Sequence, residues 1–113
     1  MGKSALICGG SIGGLFAAAA LLRAGWHVAV FERVAEPLAG RGAGIVTHKE
    51  LINALHHVGA TTRDLGVRVT ERVAYDLAGN RVQTLDHDQI VTSWDRMHQV
   101  LRTLVPDDCY HMG

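Results

Sequence analysis

A short apolar run that ends in a cluster of glycines is the feature that most constrains the fold of this 113-residue chain. Residues 5–8 read ALIC, residues 9–14 read GGSIGG, and an alanine-rich apolar segment follows. A strand that turns tightly into a helix has this pattern, and the N-terminus of such a helix faces a phosphate. The sequence therefore predicts a dinucleotide site at this turn.

The three small residues of the pattern have different physical tasks. The first allows the tight turn, the second lets a pyrophosphate approach the backbone, and the third lets the helix pack closely on the strand. Gly9 and Gly14 occupy the outer positions here, and Ser11 occupies the middle one. Serine is small and can donate a hydrogen bond to a phosphate oxygen. The alternative for the turn taken alone is a glycine-containing loop with no ligand.

Glu32 stands at the position where a ribose-binding carboxylate is needed. It follows the second apolar run, residues 28–31, and lies 18 residues past Gly14. A carboxylate at the end of the second strand can accept hydrogen bonds from both ribose hydroxyls, and it disfavours a 2′-phosphate. We therefore expect a dinucleotide other than NADP at this site.

Composition excludes several classes of function. The 11 basic and 11 acidic residues balance, so nothing suggests a nucleic-acid partner. No apolar stretch reaches the roughly 20 residues that span a bilayer. Neither Cys8 and Cys109 nor the seven histidines have the spacing of a metal site. We expect a single cytoplasmic domain without a metal, with Cys8 facing the core of a strand.

The remaining elements follow from periodicity and caps. Thr47, with Glu50 three residues later, is predicted to cap the second helix. Residues 89–92 are predicted to add a strand after the hairpin, and residues 109–112 to begin another. The predicted order over 1–113 is a βαβ unit at about 3–33, a loop at 34–46, a helix at 47–58, a hairpin at about 67–86 and a helix at 93–104.

The segment GRGAGI at residues 40–45 carries three glycines in five residues. Such backbone turns sharply or lies close to another group. Taken alone, the segment favours a surface loop. Arg41 in that loop either steers an anionic ligand or is solvated.

The glycine turn, Glu32-Arg33, the segment 40–45 and the segment TSWDRM at 92–97 together resemble the N-terminal part of the FAD-dependent class A aromatic hydroxylases, in particular the 2,6-dihydroxypyridine hydroxylase type. The resemblance covers about residues 4–110. It implies an α/β fold, the N-terminal part of a glutathione-reductase-type, Rossmann-like FAD-binding domain with an antiparallel β-hairpin. It also implies a flavoprotein monooxygenase in which NAD(P)H reduces the FAD and oxygen serves to hydroxylate an aromatic or N-heteroaromatic small molecule.

The resemblance assigns roles by position and names no catalytic residue in this chain. The glycine turn would hold the FAD pyrophosphate, Glu32 the adenosine ribose, and Arg33 would lie beside the adenine. The loop at 41–45 would approach the rest of the cofactor. The candidate cofactor-binding residues are Gly9, Ser11, Ile12, Gly13, Gly14, Glu32, Arg33, Arg41, Gly44 and Ile45.

Two departures from the family pattern matter. Many members place an arginine near the pyrophosphate at the start of the third helix, where this sequence has Trp94. The later Asp-Gly and Gly-Asp motifs of the family, and much of its substrate pocket, lie past residue 113. The chain alone is therefore expected to bind FAD weakly or not at all, to hydroxylate nothing, and to need the rest of the enzyme or a partner chain.

Two other functions remain open at the level of sequence. One is a non-catalytic dinucleotide-binding module that assembles with another chain, including a second copy of itself, because half a sheet leaves an exposed strand edge. The other is a fragment of an NAD-dependent dehydrogenase. Protection by NAD and not by FAD in a thermal melt distinguishes the dehydrogenase.

Overall fold

The computed structural model describes residues 2–40 and 42–113 as a chain of six strands, three α-helices and one 3-10 helix. The elements are β1 (Ser4–Cys8), α1 (Ile12–Arg23), β2 (His27–Glu32), β3 (Gly44–Val46), α2 (Lys49–His57), β4 (Val67–Tyr75), β5 (Arg81–Ser93), α3 (Trp94–Arg102), the 3-10 helix Asp107–Cys109 and β6 (Tyr110–Met112).

The first sheet is parallel and has the strand order β1-β2-β6. Strand β1 pairs with β2 from Ser4↔His27 to Cys8↔Phe31, and α1 makes the connection between them. Strand β6 joins the other edge of β2 at Val30↔Tyr110. The carboxyl ends of β1 and β2 therefore lie side by side. Strand β1 ends directly before the glycine turn, and β2 ends at Glu32.

The second sheet is antiparallel and has the order β3-β5-β4. Its central strand β5 runs without interruption for 13 residues, whereas the sequence predicted a return strand and a separate strand at 89–92. The pairing with β4 shifts register in the polar stretch 86–89, between Val69↔Gln89 and Glu71↔Asp86, and side chains of this stretch find partners across the hairpin. Asp88 accepts two hydrogen bonds from Arg68, at 2.7 and 2.6 Å, and Gln89 accepts one from Arg72 at 2.9 Å.

Two details near the second helix differ from the predictions. Gly44–Val46 forms strand β3, which pairs with the end of β5, so the predicted loop 34–46 ends earlier. His48 rather than Thr47 caps α2, with its Nδ1 accepting from the Leu51 N–H at 3.2 Å. Thr47 is buried and donates both its N–H and its hydroxyl to the Ile90 carbonyl. The second sheet thus holds Thr47 outside the helix.

The apolar core lies where the helices meet the first sheet. Leu15 of α1, Leu55 of α2 and Leu101 of α3 are completely buried in one cluster with Val30 of β2. Cys8 was predicted to face a core, and it is exposed instead. Ile7, its neighbour on the opposite face of β1, packs against the cluster, so strand alternation turns Cys8 away from it.

Replacing Leu55 by alanine tests this core. We expect Leu55→Ala to lower the free energy of unfolding by about 2–5 kcal/mol, because the side chain is 0% exposed and leaves a cavity. Urea denaturation followed by circular dichroism measures the change. Leu77→Ala is the matched control, since Leu77 is fully exposed at the hairpin turn. Equal effects of the two substitutions would contradict the described core.

Candidate functional site

A cavity of about 620 Å³ opens at the carboxyl ends of β1 and β2. Open α/β sheets bind their ligands at this end of the strands. The cavity is large enough for a nucleotide-sized ligand. It is lined by Cys8, Gly9, Ser11, Phe31, Glu32, Arg33, Val34, Leu38, Trp94 and Gly113.

The glycine turn between β1 and α1 has the geometry that its sequence predicts. Gly9 has a φ of 108°, a conformation that side chains disfavour, and its N–H extends the pairing with β2 by donating to the Phe31 carbonyl at 2.8 Å. A Cβ at Gly14 would collide with the Gly9 carbonyl oxygen. Glycine at position 14 therefore lets α1 begin directly against the turn.

The N-terminus of α1 is suited to an anion. Ser11 is the N-cap residue, but its side chain makes no capping hydrogen bond, and the first turn carries no acidic residue. The first helical hydrogen bond runs from the Leu15 N–H to the Ser11 carbonyl. The N–H groups of Ile12, Gly13 and Gly14 precede it, so they belong to the set that a helix leaves unsatisfied and that attracts phosphate.

Glu32 ends β2 and binds backbone on two sides of the cavity. The residue is 8% exposed. Its Oε2 accepts a hydrogen bond from the Gly10 N–H at 2.8 Å, and its Oε1 accepts one from the Val34 N–H at 3.0 Å. A carboxylate can accept about four hydrogen bonds, so one carboxylate can hold several groups at this edge of the sheet. The next residue, Arg33, is exposed and also lines the cavity.

Gly10 is a site residue that the sequence-based assignment missed. Its carbonyl oxygen accepts from His98 Nε2 at 2.9 Å and from the Tyr110 hydroxyl at 3.1 Å. A Cβ at Gly10 would collide with that hydroxyl. Burial, assisted by the negative charge of Glu32, raises the pKa of Tyr110, although Arg102 opposes the shift. Tyr110 therefore stays a neutral donor across the physiological pH range.

Trp94 connects the third helix with the segment that follows β2. Its indole lines the cavity and stacks on His98, with ring centroids 4.8 Å apart. A Cβ added at Gly42, whose φ is 79°, would lie 2.8 Å from Trp94 Cβ. The Gly40 N–H donates to Asp95 Oδ2 at 2.9 Å. Both flanks of position 41 are thus fixed to the start of α3.

The structure brings together four of the predicted site residues and places the others around them. The cavity is lined by Gly9, Ser11, Glu32 and Arg33. Gly44 and Ile45 lie in β3, paired with Ser93 and Thr92, and do not line it. Arg41 lies outside the described residues. Ile12, Gly13 and Gly14 form the first turn of α1.

Two further observations concern the described parts of the chain, 2–40 and 42–113. No three His, Cys, Asp or Glu side chains within them are grouped closely enough to hold a metal ion. None of their helices has the length and apolar character needed to cross a membrane.

Comparison with known proteins agrees with the geometry. No family model matches the chain. Over 106 residues it is 38% identical to 2,6-dihydroxypyridine 3-monooxygenase from Paenarthrobacter nicotinovorans, an alignment that covers 93% of this chain and 27% of that protein. The predicted resemblance is confirmed. The chain is homologous to part of this monooxygenase, as its resemblance to the N-terminal part of the FAD-dependent aromatic hydroxylases predicted.

Solved structures show the same fold. The structure of 2,6-dihydroxypyridine-3-hydroxylase from Arthrobacter nicotinovorans matches with a TM-score of 0.87 and 35% identity, over 99% of this chain and 29% of that one. HpxO from Klebsiella pneumoniae, crystallised with FAD and uric acid, matches with a TM-score of 0.80 and 21% identity, over 98% and 31%. The chain thus has the α/β fold of these two proteins over less than a third of their length.

Alanine substitutions at two neighbouring glycines test the turn. We expect Gly14→Ala to lower the free energy of unfolding by about 1–3 kcal/mol, because the added Cβ forces α1 away from Gly9. Gly13→Ala is the control, since nothing lies within 4 Å of its added Cβ. That variant is expected to be unchanged or up to about 1 kcal/mol more stable, because alanine favours a helix. Denaturant titration compares them, and equal stabilities would contradict the close approach at Gly14.

Proposed function

We propose that this chain supplies the adenosine-diphosphate side of the FAD site in an NAD(P)H- and O2-dependent flavin monooxygenase. The observation that carries the proposal is the convergence of Gly9, Ser11 and Glu32 on one cavity at the carboxyl ends of β1 and β2. The turn suits a pyrophosphate and the carboxylate suits a ribose. The pyridine monooxygenase relative and the FAD complex of HpxO support flavin adenine dinucleotide among the dinucleotides.

The phosphate end of the ligand is held by backbone in this proposal. The N–H groups of Ile12, Gly13 and Gly14, with the hydroxyl of Ser11, donate to the pyrophosphate oxygens. The positive end of the α1 dipole adds to this attraction. Gly9 keeps the turn tight enough for the phosphate to approach.

The adenosine end is held by side chains at the end of β2. Glu32, which ends β2 and lines the cavity, accepts from the ribose hydroxyls. Arg33 lies beside the adenine. Among the candidates of the 40–45 segment, Arg41 approaches the cofactor, while Gly44 and Ile45 position that segment through their pairing with β5.

The hydroxylation itself belongs to the bound flavin and to polypeptide outside this chain. Flavin supplies the redox chemistry that transfers an oxygen atom from O2 to an aromatic ring. The residues described here bind and orient the cofactor, and none of them is assigned a catalytic role. The substrate is proposed to be an aromatic or N-heteroaromatic small molecule, because the relative acts on a dihydroxypyridine. The glutathione-reductase-type architecture of the whole domain is part of the same proposal.

A panel of ligands tests the proposal by thermal melting of the chain. A ligand at about 1 mM stabilises the folded chain even when its binding free energy is only about −4 kcal/mol, so weak binding is detectable. At this concentration ADP and FAD should raise the melting temperature. FMN should not, because it lacks adenosine. A shift with NAD but not with FAD would favour a dehydrogenase and contradict the flavin site. Joined to the part of 2,6-dihydroxypyridine 3-monooxygenase that the alignment leaves uncovered, the chain should support NAD(P)H oxidation that depends on both O2 and a hydroxypyridine.

Glu32→Gln tests the role of the carboxylate. We expect ADP to bind about 10-fold more weakly, because one ribose acceptor and its charge are lost. The preference for ADP over its 2′-phosphorylated form should also shrink, since the charge no longer repels a 2′-phosphate. Calorimetric titration of both ligands gives the ratio. Glu36→Gln, an exposed neighbour, is the control. An unchanged ratio would exclude Glu32 from the ribose site.

A further inference from the structure

We propose that His98 and Tyr110 are positioning residues that set the direction of the Gly10–Ser11 peptide and thereby aim the Ser11 N–H at the phosphate of the bound nucleotide. The inference rests on the proposed function for the identity of the ligand, and on the geometry of the turn for everything else. Neither side chain lines the large cavity, so both would act through the backbone of Gly10.

The two donors converge on a single acceptor from far along the chain. His98 Nε2 lies 2.9 Å and the Tyr110 hydroxyl 3.1 Å from the Gly10 carbonyl oxygen, and both hydrogen bonds are buried. A carbonyl oxygen only accepts, so the Nε2 atom of His98 carries its proton here. The carbonyl therefore has both of its lone pairs occupied, and rotation of the peptide would break two buried hydrogen bonds.

Peptide geometry transfers this restraint to the ligand side of the turn. A trans peptide is planar, so the N–H of Ser11 points opposite to the carbonyl of Gly10. The carbonyl points to His98 and Tyr110, which line a separate cavity of about 400 Å³. The N–H accordingly points away from that cavity, toward the side on which Ser11 lines the larger one.

Two neighbours hold the donors in place. The His98 imidazole stacks on the indole of Trp94, with 16° between the ring planes. The Tyr110 ring lies under the guanidinium of Arg102, whose carbon is 4.1 Å from the ring centroid. Arg102 is in turn fixed by the Val105 carbonyl and by Asp107. The donors are therefore pre-oriented before any ligand arrives.

The pair has a counterpart on the other side of Gly10. The Gly10 N–H donates to Glu32 Oε2, the carboxylate assigned to the ribose. The ribose contact and the phosphate contact are thus tied to one glycine. A loss of either donor should disturb phosphate binding more than ribose discrimination, which separates the effect from that of Glu32.

Variants at both positions test the proposal, with two measurements on the full chain. His98→Leu removes the donor at similar volume, His98→Gln keeps an N–H donor that can reach the carbonyl, and Tyr110→Phe removes only the hydroxyl. The first measurement is the amide chemical shift and hydrogen exchange of Ser11 without ligand. The second is the dissociation constant for ADP. Its ratio to the dissociation constant for 2′-phosphorylated ADP reports on recognition of the ribose. His57→Leu and Tyr75→Phe are matched controls at exposed positions.

The expected result is a shifted, faster-exchanging Ser11 amide in His98→Leu and Tyr110→Phe. ADP should bind about 10-fold more weakly in the first and about 3-fold more weakly in the second, with the ribose ratio unchanged. His98→Gln should restore both readings to near those of the parent chain. The controls should behave like the parent.

The two measurements separate this inference from the proposed function. If the parent chain does not bind ADP, the proposed adenosine-diphosphate site fails, while the Ser11 amide still reports whether His98 and Tyr110 direct the peptide. If the Ser11 amide is unchanged in His98→Leu and Tyr110→Phe, the inference is overturned even where ADP binds. A lower melting temperature with an unchanged ADP constant in the folded variants would mean a merely structural role and would also overturn it.

Discussion

The peptide units on either side of Gly10 are held by hydrogen bonds that point in different directions, and the geometry of the candidate site depends on them. The N–H of Gly10 reaches Glu32 at the end of β2, and its carbonyl reaches His98 of α3 and Tyr110 of β6. Three elements distant in sequence therefore meet on one residue. Because a Cβ at this position would collide with the Tyr110 hydroxyl, only glycine allows the meeting.

This arrangement explains why a turn with few side chains can be a defined binding site. Backbone N–H groups bind phosphate well only when the turn that carries them is rigid, because ordering a mobile loop costs conformational entropy on binding. Here the turn is already ordered in the folded chain by contacts outside the cavity, so binding does not have to order it. The stack of Trp94 on His98 and the close approach of Gly42 to Trp94 extend the same restraint to the segment after β2.

Local patterns were sufficient to predict the parts of the fold whose contacts are local. The strand, glycine turn and helix of residues 4–23, and the carboxylate at position 32, could be recognised because their spacing reflects one βαβ unit. The continuous strand β5 and the cap of α2 could not be predicted in this way. Asp88 and Thr47 owe their positions to partners about 20 and 43 residues away, at Arg68 and Ile90.

The same distinction separates the site residues that were found from those that were missed. Glu32 has a fixed distance from the glycine turn in the chain, whereas His98 and Tyr110 lie 88 and 100 residues from Gly10. The doublet Gly9-Gly10 was the available signal, because a second glycine inside a tight turn needs a steric reason of its own. A buried donor pair supplies that reason.

The cavity has few positively charged side chains, so backbone groups are the main phosphate-binding groups of the proposed site. Among the described residues that line the cavity, Arg33 is the only cation. Glu32 contributes a negative charge that repels phosphate. In the proposed function, a pyrophosphate is drawn to the α1 N-terminus chiefly by oriented N–H groups and the helix dipole, whose effect falls off within one turn. An attraction of such short range works only if the turn is held in place, which the hydrogen bonds to Gly10 accomplish.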